Sequence, residues 1–477
     1  MFDLQSSSKY FARRVVTLAC LLIFALSIFV IFPLPERALA QSAPRKAMRV
    51  LVISLDGLDA RYLNNPEQYN LRIPTLRRLM QNGVTARGVT SVYPSVTYPN
   101  HTTMVTGALP SRHGIFGNGL FESPDGPQTG GAHWFARDIK VDTLWDAAGR
   151  EKMSVGMVSW PVAGGAGDWN VPEIWKPGGT TEETRAVVAA NARPRGLVKE
   201  VERRFPDIYR NLNKDEGDDA RTGFAEYIIA EKRPRLMFVH LYDLDHFQHD
   251  YGPFTPEALA MLEKTDAYVA RLLAAAERAG TLDETTVFIT SDHGFLPISK
   301  QIHPGVLLLR AGLVEAREER GAEGRVRAKV TNWRAAVYVT GGACAIILRD
   351  PNDKDALNKL RRIFKSENNE GILRALEQDE IRALGSNTTA ALMLEAADGY
   401  TFGSNYAGEF VTKSRSRGMH GYLPTRPNYY ASLIASGAGV TRRGRTDEVR
   451  MTQLAPTVAI LLKLKLRDAE GDALPLQ

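Results

Sequence analysis

The chain of 477 residues is 44% hydrophobic and 24% charged, the balance of an ordinary globular protein without low-complexity tracts. Its formal charge of +6 is spread without a long basic run, so no nucleic-acid duplex is expected as a partner. Two cysteines build no internal disulfide framework, and the length suits one elaborated α/β enzyme domain.

At the N-terminus, Lys9, Arg13 and Arg14 precede the apolar run Val15 to Phe32, and Ala38-Leu39-Ala40 follows before Gln41. This pattern predicts an export signal peptide over residues 1–40, cleaved after Ala40. The apolar run of 18 residues is also long enough for an uncleaved membrane anchor. The expected location is periplasmic or secreted, with membrane attachment only if this segment is retained. Residues 41–477 are then the catalytic domain.

Arg49 to Leu55 is an apolar run bounded by Asp56-Gly57, which predicts a buried parallel strand with a ligand at its C-terminal edge. Pro74 to Gly83 reads as a short helix, with Pro in the first turn and Gly as its C-cap. In the segment Tyr93 to Gly107, Thr97 precedes Pro99 and a helix is predicted from His101 to Gly107. That arrangement presents a hydroxyl at a helix mouth. Val155 to Ser159 is a short strand, followed by a Gly- and Trp-rich loop from Pro161 to Gly179.

Arg235 to Tyr242 is a further strand, ending in Asp243-Leu244-Asp245. A long amphipathic helix is predicted over Pro256 to Ala279, and the strand Thr286 to Thr290 runs into Ser291-Asp292-His293-Gly294. Residues 300–410 are less regular, with the charged stretch Glu315 to Arg327 and a helix near Asp353 to Lys365. Together with 161–220 they read as cap insertions on one domain. Cys344, within the apolar stretch Ala343 to Leu348, reads as a buried strand residue. Gln453 to Leu464 is a closing helix. Strands ending in acidic residues and alternating with helices predict an α/β layered fold with its site at the strand C-termini.

Seven residues form a candidate two-metal set: Asp56, Thr97, Asp245, His249, Asp292, His293 and His420. Their mixed oxygen and nitrogen donors suit zinc, with manganese or another divalent ion as the alternative. Asp292 and His293 follow a strand directly, where a sharp turn splays adjacent side chains towards one site. Asp245 and His249 are four apart, one helical turn, and His420 lies in a glycine-flanked loop. Shared between two ions about 4 Å apart, such ligands hold both the attacking and the bridging oxygen of a phosphate.

Thr97 is the candidate nucleophile, and its hydroxyl needs activation by a metal or a neighbouring base. His101, one turn on, is the only base near it in sequence, which leaves metal activation as the more economical account. The helix beyond Pro99 aims its positive end at an incoming anion. Asn118 is placed to donate a hydrogen bond to a phosphate oxygen.

The segments Ile53 to Gly57, Thr97 to His101, Thr106-Gly107, His113 to Ile115, Asn118, Asp245 to His249, Tyr251 to Pro253, Ser291 to Gly294 and His420 to Tyr422 are similar to a known pattern. In this order they resemble the nucleotide pyrophosphatase/phosphodiesterase branch of the alkaline phosphatase superfamily. The resemblance implies an alkaline-phosphatase-like layered domain, with a mostly parallel central sheet flanked by helices and bearing cap insertions. It implies two Zn2+ ions, one held by Asp245, His249 and His420, the other by Asp56, Thr97, Asp292 and His293. It further implies hydrolysis of phosphodiester or phosphoanhydride bonds in a small-molecule diester or nucleotide, through a phosphoryl- or nucleotidyl-threonine. Tyr98 matches an aromatic position that stacks on substrate. Trp160-Pro161 matches the family's Trp-Pro, whereas Val162-Ala163-Gly164 departs from the usual continuation, so nucleotide selectivity does not carry over.

Two other readings compete. A phosphate monoesterase or phosphonate hydrolase would use the same site, but monoesterases of this superfamily carry extra cationic contacts. Near Thr97 and Asn118 only Lys176 is a candidate for that role. An inactive binding protein that kept the fold is the rival of another class, and it has no chemical reason to retain all seven residues. The remaining histidines, His101, His113, His133, His240, His246 and His303, are assigned to packing, capping or support of the ligands. His246, beside Asp245, is the nearest competitor for a ligand role. Asp59 and Asp243 read as structural carboxylates, and Trp169 and Trp175 as cover for the insertion's own core.

Overall fold

The apolar run ending at Asp56 forms strand β1 (Arg49–Leu55), near the middle of an eight-stranded sheet. The computed structural model describes residues 48–208, 217–320, 326–365 and 369–476; the export-type segment 1–40 and part of the charged stretch 315–327 lie outside them. Among the described residues no helix is long and apolar enough to cross a membrane.

The other strands of this sheet are β2 (Gly83–Ala86), β3 (Val155–Val158), β4 (Trp169–Val171), β5 (Leu236–Leu241), β6 (Thr285–Thr290), β7 (Leu433–Gly437) and β8 (Gly444–Thr446). They run in the order β8-β2-β7-β6-β1-β5-β3-β4. Every neighbouring pair from β6 to β4 is parallel, and so is β8 with β2. Only β7 is antiparallel to both its neighbours.

Side chains alternate across β1, so Leu51, Ile53 and Leu55 enter one core with Val239 and Ile289, while Val50 and Val52 enter the other with Phe238 and Phe288. Burial on both faces explains why these strands read as unbroken apolar runs. Helices α1 (Pro74–Asn82) and α4 (Pro256–Arg278) cover the first face, and α2 (Thr97–Thr106) and α5 (Leu454–Leu462) cover the second; α3 (Asp243–Tyr251) starts at the end of β5. Each large apolar side chain so enclosed contributes about 1.5–3 kcal/mol.

One helix end follows expectation and one helix start does not, each for a physical reason. Gly83 is extended (φ −146°) and opens β2, where a Cβ would lie 2.0 Å from the Ala435 carbonyl oxygen. It is kept small by β7 and is the expected C-cap of α1, in an extended rather than a left-handed conformation. Helix α2 begins at Thr97, because Pro99 in its first turn removes only an N–H that would have no partner in the helix. It ends as expected at Gly107, left-handed at φ +69°, whose N–H donates to Thr103 O.

Residues 300–410 are more regular than their sequence suggests. Strands Ala335–Thr340, Ala343–Leu348, Ala390–Ala396 and Ile372–Leu376 form a four-stranded antiparallel sheet in that order, with the helix Lys354–Phe364 against it. Cys344 is free and buried in the second of these strands. Strand Leu296–Ile302 pairs with Gly418–Met419, which brings His420 back beside the main sheet.

Candidate active site and metal centre

Ser54 lies opposite His240 on β5 and opposite Thr290 on β6, so the three strands finish level. Asp56, the start of α3 and Asp292-His293 therefore emerge at one edge, where open α/β sheets hold their ligands. All these side chains are buried: Asp292 and His293 at 0% exposure, Asp56 at 3%, His420 at 7% and Asp245 at 8%.

His293 Nε2 stands 3.1 Å from Asp292 Oδ2, 3.3 Å from Asp56 Oδ1 and 4.0 Å from Asp245 Oδ1. His420 stacks on His293 at 3.6 Å between ring centres and places Nε2 3.7 Å from Asp245 Oδ1. Two groups offer ligand atoms mutually within 4.8 Å: Asp245, His293 and His420, and Asp56, Asp292 and His293. His293 is thus common to both. His249 belongs to neither, although its Nε2 is 3.4 Å from Asp245 Oδ2.

Outer contacts aim these ligands. His249 Nδ1 donates to Gly418 O at 2.9 Å and His420 Nδ1 to Ser95 O at 3.3 Å, which turns each Nε2 towards the cluster. Gly57 N donates to Asp292 Oδ1 at 3.1 Å. Gly421, next to His420, is left-handed at φ +96°, and a Cβ there would lie 2.1 Å from Thr340 O.

The donor set fits a divalent cation. Asp56 Oδ1, Asp245 Oδ1, Asp292 Oδ2 and both nitrogens of His293 are buried without a hydrogen-bond partner, an expensive arrangement unless positive charge fills the space between them. Burial pushes the Asp56 carboxyl well above its usual range, and the neighbouring Asp292 and Asp245 charges add to this. Against the effect of burial, Asp292, Asp56 and Asp245 push His293 up to about 9. Burial, with His293 and His249 nearby, holds His420 well below the usual imidazole value, in the neutral form that could bind a cation.

Thr97 opens α2 and is 7% exposed, and Val96 before it supplies no side-chain cap. Tyr98 N donates to Asn118 Oδ1 at 2.9 Å, which leaves the Asn118 amide NH2 as a donor. Asn118, His249 and His420 line a cavity of about 450 Å3 with Val96, Tyr338 and Met419. Among the described residues its walls carry no lysine or arginine. Lys176, the one cation in question, is paired with Glu183 on the surface.

The two aromatic residues expected to meet substrate are covered by protein. Tyr98 is 2% exposed, packs with Ile115 and Val162, and donates from its hydroxyl to Glu173 Oε1 at 2.9 Å. Trp160 is 0% exposed, wedged against His101 and Phe238 at 4.9 Å from each. His101 bonds Thr97 O and Ser54 Oγ, His246 packs on Tyr242, and Asp59 caps the helix Ala60–Asn64.

One pair contributes more than its sequence suggested. His240 Nε2 donates to Asp56 Oδ2 at 3.0 Å, and its Nδ1 faces Glu173 Oε2 and Ser159 O, each at 3.0 Å. The carboxylates on both sides push it up to about 10 against the effect of burial. A histidine inside the otherwise apolar strand Leu236–Leu241 was the available signal; Glu173, in the loop after β4, offered none.

The profile of the type I phosphodiesterase / nucleotide pyrophosphatase family matches residues 50–423. Human ectonucleotide pyrophosphatase/phosphodiesterase family member 1 is 24% identical over 260 residues, 51% of this chain and 23% of that protein. The chain spans about a quarter of the length of this relative and its mouse and rat counterparts. Murine bis(5'-adenosyl)-triphosphatase enpp4 is 24% identical over 434 residues, 90% of this chain and 81% of its own. Among solved structures, human ectonucleotide pyrophosphatase/phosphodiesterase 5 superposes with a TM-score of 0.60 at 17% identity, covering 90% of this chain and 96% of that one. An inactive variant of murine ectonucleotide pyrophosphatase/phosphodiesterase 5, in complex with AMP, gives 0.59 at 18% identity, covering 90% and 97%. The fold is alkaline-phosphatase-like, with the mixed, mostly parallel sheet described above. By the match over residues 50–423, the chain belongs to the type I phosphodiesterase / nucleotide pyrophosphatase family.

Proposed function

We propose that this chain is an exported, two-zinc hydrolase that cleaves phosphodiester or phosphoanhydride bonds through a covalent intermediate on Thr97. The observation that carries this reading is the pair of buried carboxylate–imidazole groups sharing His293, with their partnerless oxygens facing one space. Asp56, Thr97, Asp292 and His293 would hold one ion, and Asp245, His249 and His420 the other. Zinc suits this oxygen and nitrogen set. Such ions, when bound, lower the pKa of a coordinated hydroxyl and neutralise charge on phosphate oxygens.

The chain's own groups do the rest. The amide of Asn118 and the N-terminal end of α2 receive the phosphate oxygens. Thr97 Oγ attacks phosphorus as the bond to the leaving oxygen breaks, and the leaving group departs with a proton. Water then cleaves the Thr97–phosphorus bond and restores the hydroxyl. The cavity beside His249 and His420, with no lysine or arginine among its described walls, favours a diester over a dianionic monoester. Nucleotides and dinucleotides are the leading substrates, in keeping with a relative named for a bis(5'-adenosyl) triphosphate and a structural neighbour in complex with AMP.

The test compares the parent with Thr97→Ala on an aryl nucleotide diester, an aryl monoester and an aryl phosphonate, with metal content measured in parallel. The diester should be fastest for the parent. The variant should keep its metal while kcat falls by about 10⁴-fold or more, as for other removed nucleophiles. Equal rates for parent and variant would sink the reading, and faster monoester turnover would replace it with a monoesterase.

A further inference from the structure

We propose that Glu173 is a positioning residue for Asp56, acting through His240 to fix which carboxylate oxygen faces the metal cluster. The inference rests on the metal-site reading of Asp56. Glu173 lies just past β4, and neither of its oxygens is idle: Oε1 accepts from Tyr98 Oη at 2.9 Å and Oε2 from His240 Nδ1 at 3.0 Å. The imidazole then donates from Nε2 to Asp56 Oδ2 at 3.0 Å. The other oxygen, Asp56 Oδ1, has no hydrogen-bond partner and points to His293 Nε2, 3.3 Å away.

The two oxygens of Asp56 are therefore divided, one held by protein and one turned to the ligand space. A carboxylate rotates freely about its last bond unless one oxygen is held, and His240 is the group that holds it. All three partners of the His240 nitrogens are acceptors, namely Asp56, Glu173 and Ser159 O. Removing Glu173 deletes the carboxylate acceptor at Nδ1, leaves Ser159 O as the single acceptor there, and so loosens the hold on the ring and on Asp56. Hydrogen-bonded supports of this kind typically change metal affinity by 10–100-fold.

Glu173 is also reachable. Its side chain is 13% exposed, and it forms part of the wall of a cavity of about 350 Å3 with Ser159, Val171 and Tyr242. Shortening it opens space towards that cavity rather than into a hydrophobic core, so a small carboxylate from solution can take its place.

The experiment uses the full chain with Glu173→Ala and Glu173→Met, reading Zn2+ affinity by chelator competition and visible absorption after Co2+ substitution. Glu173→Ala should weaken one of two bound ions by about 10–100-fold, alter the Co2+ spectrum, and lower kcat more than it raises KM. High acetate should restore affinity in Glu173→Ala, and chloride at equal ionic strength should not. A purely structural role would lower the melting temperature without moving metal affinity, and that outcome overturns the proposal. If the alanine variant does not fold, Glu173→Met, similar in volume but without an oxygen acceptor, carries the same comparison, and parent-like affinity there is equally fatal. A parent that binds no divalent ion would instead fail the metal-site reading, and this inference with it.

Discussion

His293 approaches three carboxylates at 3.1–4.0 Å and stacks on a second imidazole, so its loss should be felt across the whole cluster. His293→Ala is expected to remove the ion it would hold and weaken the other, whereas His249→Ala, outside both tight groups, should weaken one; metal content after dialysis distinguishes them. Asn118 is expected to act on charge that develops during reaction, so Asn118→Ala should lower kcat by about 10²–10³-fold with metal content unchanged. Protons should compete with a metal ion at this candidate centre. The His293 imidazole, pushed up to about 9, carries a proton near neutrality that an ion must displace. Because its affinity for protons is raised, acidification from pH 8 to pH 6 should weaken metal binding by about tenfold per unit for each proton released. Chelator competition across that range measures the slope.

At the scale of elements, the loop that carries His420 is held by its glycines and by the cap sheet. Gly421→Ala would require φ +96° of a side-chain-bearing residue and push a Cβ into Thr340 O. It should cost about 1–3 kcal/mol for the backbone alone and reduce metal content, read by melting and metal analysis together. Strand Ala390–Ala396 grips the same loop through Glu395, which accepts from Leu423 N at 3.0 Å, Arg426 Nε at 2.7 Å and Tyr93 Oη at 3.2 Å. Burial pushes Glu395 up to about 7, against the pull of Arg426. A raised carboxyl contributes stability that is complete below its unfolded value and fades as pH rises through the folded one. The parent should therefore lose stability between pH 5 and pH 8 relative to Glu395→Gln, in denaturation curves at matched salt. None of this was legible in residues 300–410, whose short strands alternate weakly and pair with distant partners.

At the scale of the whole molecule, the candidate metal cluster and the sheet are one object, since two strand ends and the helix that follows the third, level with them, supply its carboxylates. An ion that binds only the folded chain adds about 2.7 kcal/mol at 100 times its dissociation constant. Chelation should accordingly lower the melting temperature, and added Zn2+ should restore it; calorimetry with and without chelator checks this. The α/β class, the strands ending at Asp56, Asp245 and Asp292, and the clustering of ligand-type residues were readable from residue order alone. Buried parallel strands announce themselves as apolar runs, and a turn residue beside each run marks its end. Local pattern is silent on register. Which oxygen faces which imidazole, the double membership of His293, the Glu173–His240 support and the covering of Tyr98 and Trp160 arise only when segments nearly 200 residues apart align, as β1 with β5 does. Those contacts are decided by packing across the sheet, where a shift of one residue turns every side chain to the opposite face.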